Sequence, residues 1–389
     1  MNLLVLNCGS SSIKFAGFEA PPLVCRLRGE VEAIGNPGAR LLVNGRVVPC
    51  QAEDHRQALE VVAHALQQEG WPTPQAIGHR VVHGGAKFTA PVVIDERVLA
   101  DIEATVPLAP LHNPPNLEGI RLAQRLWPQA PQVAVFDTAF HQTLPPRAFR
   151  YAVPREWYQQ LGLRRFGFHG LSHAYVAKRA AEFLGKPLNA LKLISLHLGN
   201  GASACAIAYG QSVDTSMGLT PMEGLVMGTR PGDVDAGMVL HLLTQHRLSI
   251  QELERALNFA SGLKGLCGLS DLRQIHAAIA QGDEDAQLAL EVFCYRVKKY
   301  LGAYWAVLGG ADAIVFTGGI GENDPKVREL CVWGLEPLGI AIDPNKNRQI
   351  GRAVMEIQSP GASIQILVIA TDEEREIAEN VLTLLEVSP

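Results

Sequence analysis

A short segment near the start of the chain combines small, hydroxyl and basic residues: Asn7-Cys-Gly-Ser-Ser-Ser-Ile-Lys14. Small residues let backbone N–H groups approach an anion, the serine hydroxyls add donors, and Lys14 adds a positive charge. The segment is not a Walker A loop, which needs the spacing G-x-x-x-x-G-K-[ST] and a following helix. Taken alone, it fits a phosphate-binding loop and an ordinary serine-rich hairpin turn equally well.

Two further glycine-rich segments have the same character. In His197-Leu-Gly-Asn-Gly201 the glycines permit close backbone approach, and His197 and Asn200 can donate hydrogen bonds. Gly318-Gly-Ile-Gly-Glu-Asn323 comes just before an expected helix start, which suits an adenosine or a phosphate. Each segment is weak evidence alone because glycine turns are common, but three such loops at strand ends form a stronger pattern.

Two arginines stand in surroundings that favour anion binding. Arg80 follows an apolar run in Ile77-Gly-His-Arg80, and Arg230 lies in the turn Met227-Gly-Thr-Arg-Pro-Gly-Asp233. A guanidinium can hold a carboxylate or a transferring phosphoryl group through two parallel hydrogen bonds. The alternative is a surface or ion-paired arginine, which is the usual fate of this residue. Apolar and glycine-rich neighbours favour the anion site at these two positions.

Two carboxylates end apolar runs. Asp137 follows Val133–Phe136, and Glu373 follows Ile369-Ala-Thr-Asp372. A carboxylate at the C-terminal end of a strand often belongs to a site. The alternative for Asp137 is a turn or helix-cap aspartate. The alternative for Glu373 is an acid in the first turn of a helix, with Thr371 or Asp372 as the cap.

His169 lies in Arg165-Phe-Gly-Phe-His-Gly-Leu-Ser-His173. The spacing to His173 would suit a zinc-binding helix, but Gly170 stands where the motif H-E-x-x-H requires glutamate, which argues against a metalloprotease. A structural histidine is one interpretation, and a hydrogen-bond donor to a phosphoryl oxygen is the other.

The expected secondary structure places these residues at the ends of strands. The expected strand–turn–strand segments are Leu3–Leu6, Asn7–Ser12 and Ile13–Phe18, and later Leu191–Leu196, His197–Ser203 and Ala204–Tyr209. Two such hairpins at distant positions suggest a duplicated domain. The fold class that follows is α/β with two related lobes.

The second half of the chain predicts a third strand and two helices around its glycine loop. The strand is Ala313–Phe316, followed by a turn over Thr317–Asn323, and Asp324-Pro325 has the residue types of an N-cap and a first helical position. A long helix precedes this strand, and its apolar positions are Leu290, Phe293, Val297, Leu301, Tyr304 and Leu308. The last expected helix has Ile377, Val381 and Leu384 on one face.

Composition and charge exclude several classes of protein. The 389 residues allow two or three domains, and the net charge of −5 disfavours nucleic acid and anionic membranes as partners. The apolar stretch Leu301–Gly321 is broken by two glycine pairs, so we expect a buried helix and a strand rather than a membrane span. Met1–Leu6 lacks basic residues, and we expect a strand there rather than a signal peptide. Seven scattered cysteines without a C-x-x-C pair favour a cytoplasmic location.

Eight segments together resemble the acetate and propionate kinase family, in the family's order and over nearly the whole chain. They are Leu6–Phe15, Gly78–Gly85, Leu111–Asn116, Phe136–His141, Arg165–Ala177, His197–Gly201, Asp214–Arg230 and Gly319–Asn323. The resemblance implies the fold of acetate and sugar kinases, heat-shock ATPases and actin, with the active site in the cleft between two lobes. It implies lobes of residues 1–139 with the terminal helix 376–389, and of residues 140–375. It also implies a homodimer, ATP or ADP as substrate, and Mg²⁺ with Mn²⁺ as an alternative.

The resemblance also assigns residues to roles. Arg80, Asp137, His169 and Arg230 occupy the family's catalytic positions, and Asn7 and Glu373 lie near the metal. The acyl pocket positions are Arg80, Val82, Leu111, Phe168 and Pro221. The nucleotide positions are Lys14, His197, Leu198, Gly199, Asn200, Gly201, Asp271, Leu272, Arg273, Gly319, Ile320, Gly321, Glu322 and Asn323. Phe166 and Asp372 depart from the family's usual tyrosine and asparagine, and Asp372 adds negative charge near the metal position.

The implied reaction is reversible transfer of the ATP γ-phosphate to acetate. A carboxylic acid with a pKa of about 4.3 is already an anion at neutral pH, so no general base is needed. Cations must instead offset the repulsion between two anions. We therefore expect Arg80 to bind the acid, and Arg230 and His169 to bind the phosphoryl oxygens, while Asp137 orients a donor or a metal-bound water. Direct in-line transfer is the simplest scheme, and a phosphoenzyme is the alternative.

The identity of the acid depends on Val82. A stiff β-branched side chain there fills the space that a further methylene would need, so acetate is expected over propionate, and butyrate is rejected as the main substrate. The alternatives are a propionate kinase of the same family and a non-kinase ATPase of the same fold. The second alternative lacks support, because an arginine beside an apolar pocket suits a small acid better than a polypeptide.

Overall fold

A computed structural model describes residues 1–349 and 353–386 of the chain. The chain forms two compact units: Met1–Gln142 with Asp372–Pro389, and Thr143–Thr371. Of the expected terminal helix 376–389, residues 387–389 lie outside the described part. The described helices include none that combines the length and apolar character needed to cross a membrane.

The first unit contains a sheet with the order β5-β4-β3-β2-β1-β6-β8-β7. Its strands are β1 (Asn2–Cys8), β2 (Ser12–Glu19), β3 (Val24–Glu32), β4 (Arg40–Val43), β5 (Arg46–Pro49), β6 (Ala76–Val81), β7 (Val92–Val93) and β8 (Gln132–Phe136). The central strands β1, β6 and β8 run parallel, and β2, β3 and β7 pair antiparallel with their neighbours.

The second unit contains a sheet with the order β11-β10-β9-β12-β14-β13. Its strands are β9 (Lys192–Leu198), β10 (Ala202–Ala208), β11 (Gln211–Thr215), β12 (Ala313–Thr317), β13 (Val354–Glu356) and β14 (Gln365–Ile369). Here too the three central strands β9, β12 and β14 run parallel and the outer strands pair antiparallel. Six strands of each sheet thus share one order and one set of directions, which confirms the two related lobes.

Helices cover these sheets. They are α1 (His55–Gln68), α2 (Glu96–Glu103), α3 (Asn113–Leu126), α4 (Pro146–Phe149), α5 (Arg155–Leu161), α6 (Gly170–Leu184), α7 (Ala236–Gln245), α8 (Ile250–Phe259), α9 (Gly262–Cys267), α10 (Leu272–Ala280), α11 (Glu284–Leu308), α12 (Gly318–Asn323), α13 (Pro325–Val332), α14 (Pro344–Asn347) and α15 (Glu373–Glu386). In the first unit α15 packs on β1, β6 and β8, and in the second α6 packs on β9, β12 and β14.

The packing of α15 depends on one glycine. A Cβ at Gly78 would lie 2.7 Å from Ile377 and 2.8 Å from Val381, so only glycine lets this helix approach β6 so closely. Ile377 and Val381 are fully buried, as their spacing on one helical face predicts. This packing fixes the first turn of α15, and with it Glu373.

The predicted elements are confirmed with three corrections. The first hairpin turn is shorter than Asn7–Ser12, because Asn7, Cys8 and Ser12 belong to strands. The second turn is likewise shorter than His197–Ser203, because His197 lies in β9. The predicted turn over Thr317–Asn323 is wrong: Gly318–Asn323 is the short helix α12. The Glu322 carboxylate accepts from the Gly318 N–H at 2.9 Å, which stabilises this turn of helix despite its three glycines.

Three other predicted features of the elements are confirmed. Asp324 caps α13 by accepting from the N–H groups of Lys326 and Val327, with Pro325 at the first helical position. The apolar stretch Leu301–Gly321 forms the end of α11 and the buried strand β12. Asp372 accepts from the N–H of Arg375 at 3.0 Å and so caps α15.

Candidate active site

Arg80 and Asp137 form a buried ion pair at the carboxyl ends of neighbouring parallel strands. Arg80 lies near the end of β6, and Asp137 directly follows β8. Arg80 Nε donates to Asp137 Oδ1 at 2.9 Å, and Nη2 donates to Oδ2 at 2.6 Å. Two of the three guanidinium nitrogens therefore hold Asp137, and Nη1 lies 3.4 Å from Asn7 Oδ1.

Mutual attraction favours the ionised form of both partners, against the effect of burial. Burial works against the charge of Arg80, but Asp137 and then Glu373 raise the pKa of Arg80 above its ordinary value. Burial raises the pKa of the Asp137 carboxyl, and the charge and hydrogen bonds of Arg80 oppose that shift. Asp137 thus holds the Arg80 guanidinium in a fixed orientation. Nη1 of Arg80 is directed away from the Asp137 carboxylate.

Further carboxylates surround Arg80. Glu373 Oε2 lies 3.6 Å from Arg80 Nε, and burial followed by the charge of Glu373 raises the pKa of Glu374. Asp372, the departure from the family pattern, pairs with Arg28 at 2.8 Å. The four carboxylates of Asp137, Asp372, Glu373 and Glu374 outnumber the two guanidinium charges of Arg80 and Arg28, so the cluster favours an additional cation.

A divalent metal fits this cluster in its donor chemistry. Asn7 Oδ1 and Glu373 Oε2 are hard oxygen donors that both approach the Arg80 guanidinium. Mg²⁺ commonly binds through one or two protein oxygens together with waters and substrate phosphates. Within residues 1–349 and 353–386, no group of three or more His, Cys, Asp or Glu residues is arranged around a metal position. Any ion at Asn7 and Glu373 would therefore take most of its ligands from water and phosphate.

Of the predicted acyl residues of the first unit, Val82 is held in place by a buried asparagine, and Leu111 is exposed. Val82 follows β6 and is half-buried, with its N–H donating to Asn116 Oδ1 at 3.0 Å. Asn116 also donates to the carbonyl of Cys8 at 2.7 Å, which ties this segment to the first hairpin. Leu111 is exposed to 44%. Lys14 lies on β2 directly opposite Asn7 and is exposed, so both side chains share one face of the sheet.

In the second unit His169, His173 and His197 form one cluster with serine hydroxyls. His169 adopts a left-handed backbone conformation, with φ of +57°, immediately before α6. Its ring stacks on His197 with 4.2 Å between centroids, and Nδ1 lies 2.9 Å from Ser203 Oγ. His197 Nδ1 lies 2.7 Å from Ser172 Oγ. A left-handed conformation is uncommon outside glycine, and such positions concentrate at functional sites.

Arg230 approaches the same point of the chain as His169. A Cβ at Gly201 would lie 2.9 Å from Arg230 Nη2 and 3.4 Å from His169 Nε2, so glycine leaves room for both side chains. Burial lowers the pKa of Arg230 to about 10. In the described residues no carboxylate forms an ion pair with it, and Nη1 donates to the carbonyl of Pro221. A desolvated cation without a counter-charge is suited to bind an anionic ligand.

A cavity of about 650 Å³ lies beside this cluster, in the second unit. Eight of its lining residues are predicted nucleotide residues: Gly199, Asn200, Asp271, Leu272, Arg273, Gly319, Ile320 and Asn323. Asp271 caps α10 and pairs with the exposed Arg273. The volume lies in the range of small-molecule sites. The cavity therefore has the size and lining expected for a nucleotide.

Other predicted residues lie outside the cavity wall. Leu198 and Gly321 are buried, and the Glu322 carboxylate accepts from the N–H groups of Gly318 and Thr371 at 2.9 and 3.0 Å. Glu322 Oε1 therefore accepts from two protein N–H groups and supports the start of α12. Phe168 is 2% exposed, whereas Pro221 is half-buried.

Three residues that hold the predicted ones were not identified from the sequence. Arg328 is buried in α13 and donates to the carbonyls of Gly321, Glu322 and Asn347. It thereby fixes the C-terminal end of α12, whose residues line the cavity. A lone arginine in a helix of mixed polarity gives no signal of this role in the sequence. In the sequence, Ser203 ends the predicted turn His197–Ser203 and Asn116 ends the segment Leu111–Asn116, but neither residue type by itself indicates this role.

The comparisons with known proteins agree over nearly the full length. A family model described as the acetokinase family matches residues 2–379. An acetate kinase of Carboxydothermus hydrogenoformans is 48% identical over 397 residues, covering 99% of each sequence. The crystal structure of Porphyromonas gingivalis acetate kinase superposes with a TM-score of 0.92 at 43% identity, covering 99% of both chains. A propionate kinase from Francisella tularensis gives a TM-score of 0.92 at 41% identity, covering 97% and 98%.

Two related α/β sheets, with a nucleotide-sized cavity in the second unit, define the class of acetate and sugar kinases, heat-shock ATPases and actin. Within that class the chain belongs to the acetokinase family.

Proposed function

We propose that this enzyme reversibly transfers the γ-phosphate of ATP to acetate, giving acetyl phosphate and ADP. Membership of the acetokinase family makes the chain a phosphotransferase with a carboxyl group as acceptor. One observation carries the proposal for the site: Gly199 and Asn200 line the nucleotide-sized cavity, and Arg230 and His169 converge on the next residue, Gly201. Groups suited to a transferring phosphoryl group thus lie one residue from the expected nucleotide.

Arg230 and His169 would bind the equatorial phosphoryl oxygens. The charge on these oxygens changes during transfer, and donors fixed in place before the reaction stabilise it without reorganising. Arg230 is held by its bond to the Pro221 carbonyl, and His169 by Ser203 and the stacked ring of His197. The absence of an acid partner for Arg230 in the described residues leaves its charge available to the phosphate.

Arg80 would bind the carboxylate of the acid. Its Nε and Nη2 hold Asp137, and Nη1 makes only the long contact of 3.4 Å with Asn7 Oδ1, so Asp137 would act by orienting Nη1 as the donor to the acid. Acetate is already an anion at neutral pH, and neither residue needs to remove a proton. Direct in-line transfer needs no covalent enzyme intermediate, only cationic groups that hold the acid and the phosphoryl group; Arg80 would hold the first and Arg230 the second.

Asn7 and Glu373 would hold Mg²⁺, with Mn²⁺ as an alternative. When bound, the ion would supply positive charge to the phosphates of ATP or ADP. Glu373 and Glu374 would be relieved of their mutual repulsion.

A homodimer in the cytoplasm fits the surface of the second unit. The helix α7 is rich in apolar residues, yet it contains no buried residue, and Met238 and Leu240 are exposed. Nearby α8 begins with Ile250, which is 71% exposed. An apolar surface of this kind is typical of a subunit interface. All seven cysteines are free thiols, as expected for a reducing compartment.

The acid is the part of the proposal that most needs a test. One similar structure is a propionate kinase and another an acetate kinase, so similarity alone does not choose between the two acids. Acyl phosphate should be trapped as the hydroxamate with acetate, propionate and butyrate in parallel. We expect the largest kcat/KM with acetate. A larger value with propionate would favour the propionate kinase, and ADP formation at equal rates without any acid would favour a non-kinase ATPase.

A further inference from the structure

A buried chain of hydrogen bonds leads from His169 into the second unit. His169 Nδ1 lies 2.9 Å from Ser203 Oγ, and the same oxygen lies 2.8 Å from His173 Nε2. His173 Nδ1 lies 2.6 Å from Ser195 Oγ. Ser203, His173 and Ser195 are fully buried, so water does not exchange freely with these groups. The chain is therefore Ser195–His173–Ser203–His169.

The single proton of the Ser203 hydroxyl gives this chain two directions. A serine hydroxyl donates one hydrogen bond, so Ser203 can donate to only one of its two histidine neighbours and accepts from the other. If Ser203 donates to His169, neutral His169 carries its proton on Nε2, and His173 donates from its own Nε2. If Ser203 donates to His173, His169 must donate from Nδ1, and neutral His169 then has a bare Nε2.

The surroundings of His169 favour the first direction. The Nε2 edge of the ring faces Gly201, the point that Arg230 Nη2 also approaches. The positive charge of the Arg230 guanidinium disfavours a second cation beside it, which favours the neutral form of His169. A bare Nε2 would present a lone pair to a phosphoryl oxygen, whereas a protonated Nε2 donates to it. Only one of the two directions makes neutral His169 a donor at this edge.

We propose that Ser203 and His173 are positioning residues, which fix the proton of His169 on Nε2 so that the neutral ring donates to the phosphoryl group. His173 donates from Nε2 to Ser203, and Ser195 donates to His173 Nδ1. Ser203 is left to donate to His169 Nδ1. No proton is transferred along the chain. This inference rests on the proposed function in that it takes a phosphoryl oxygen as the partner of His169.

The tautomers can be measured directly without turnover. The full chain is labelled with ¹⁵N-histidine, and long-range ¹H–¹⁵N spectra at neutral pH show which ring nitrogens carry protons. Signals are assigned by their loss in His169→Gln and His173→Gln variants. We expect both histidines to be neutral and protonated on Nε2. A proton on Nδ1 of His173, or on Nδ1 of His169, would overturn the inference.

Kinetics of the Ser203 variants test the consequence for catalysis. Ser203→Ala should lower kcat by about 10-fold or more, with KM for ATP changed by less than about 3-fold, because one fixed donor loses its orientation. Ser203→Thr keeps the hydroxyl and should restore most of kcat. Ser212→Ala is the matched control, since Ser212 is equally buried in the same sheet but bonds to Cys205. Normal kcat in Ser203→Ala would contradict the inference.

The two proposals fail separately. If the wild-type enzyme forms no acyl phosphate, the proposed function is wrong, whereas the ¹⁵N spectra still decide the direction of the chain. If acyl phosphate forms and His173 carries its proton on Nδ1, the function stands and the positioning role is wrong. Should Ser203→Ala fail to fold, the wild-type spectra and Ser203→Thr suffice to decide.

Discussion

Replacing Arg230 by methionine should stabilise the free enzyme while removing most of its activity. Burial lowers the pKa of Arg230 to about 10. Because each pKa unit corresponds to about 1.4 kcal/mol, the charged guanidinium costs the folded state about 3 kcal/mol. This cost is present at every pH below about 10, where the folded protein keeps the charge. Methionine removes this charge and leaves an unbranched, apolar side chain of similar length.

The net gain is smaller than the full cost. Arg230→Met also loses the hydrogen bond to the Pro221 carbonyl, which contributes about 1 kcal/mol. We expect the free energy of unfolding, measured with urea in the absence of ligands, to rise by about 1–2 kcal/mol. Hydroxamate trapping should show kcat lowered by roughly 10²-fold or more, because a donor to the transition state is lost.

Arg328 supplies a matched control. Burial also lowers the pKa of Arg328 to about 10, but its guanidinium donates to the carbonyls of Gly321, Glu322 and Asn347. Arg328→Met would leave these buried acceptors without a donor and should destabilise the protein by several kcal/mol. If Arg230→Met were destabilised as much as Arg328→Met, the charge of Arg230 would not be a cost to the folded state. If Arg230→Met kept its activity, Arg230 would not bind the phosphoryl group.

Three further predictions concern the first unit. Arg80→Ala should lower kcat by roughly 10²-fold. Asp137→Asn should lower kcat by a smaller factor, because the substitution only weakens the hold on the Arg80 guanidinium. Near-normal kcat in both variants would contradict these assignments. Val82→Ala should raise kcat/KM for propionate relative to acetate, because a methylene is worth about 1–3 kcal/mol of binding; an unchanged ratio would make Val82 a packing residue. Burial lowers the pKa of His79 to about 4, so the unfolded chain binds its proton first as pH falls. Wild type should lose about 2 kcal/mol more unfolding free energy between about pH 7 and pH 5 than His79→Leu, measured by urea titration, and equal losses would contradict this.

The local part of the fold could be predicted from the sequence. Alternating apolar residues around small polar turns predicted both hairpins, and Asp324-Pro325 predicted the start of α13. These signals are short-range, because a strand pair joined by a tight turn and a capped helix depend on neighbouring residues.

The parts that could not be predicted depend on contacts between distant residues. Nothing in the spacing of Arg80 and Asp137, 57 positions apart, shows that β6 and β8 are parallel neighbours with these residues at the same edge. The helix α12 was missed because glycines have low helix propensity, and a hydrogen bond from Gly318 to Glu322 stabilises it. Ser203 was missed because a serine in a strand looks the same whether or not two histidines meet its hydroxyl.

The most direct test of the whole account follows phosphorus through one reaction. Wild-type enzyme is mixed with ATP, acetate and Mg²⁺, and ³¹P NMR records the products over time. The account predicts that acetyl phosphate and ADP appear in equal amounts, and that ATP persists when acetate is left out. Inorganic phosphate appearing with ADP in place of acetyl phosphate, at a rate independent of acetate, would contradict the assignment of this chain as a kinase of a carboxylic acid.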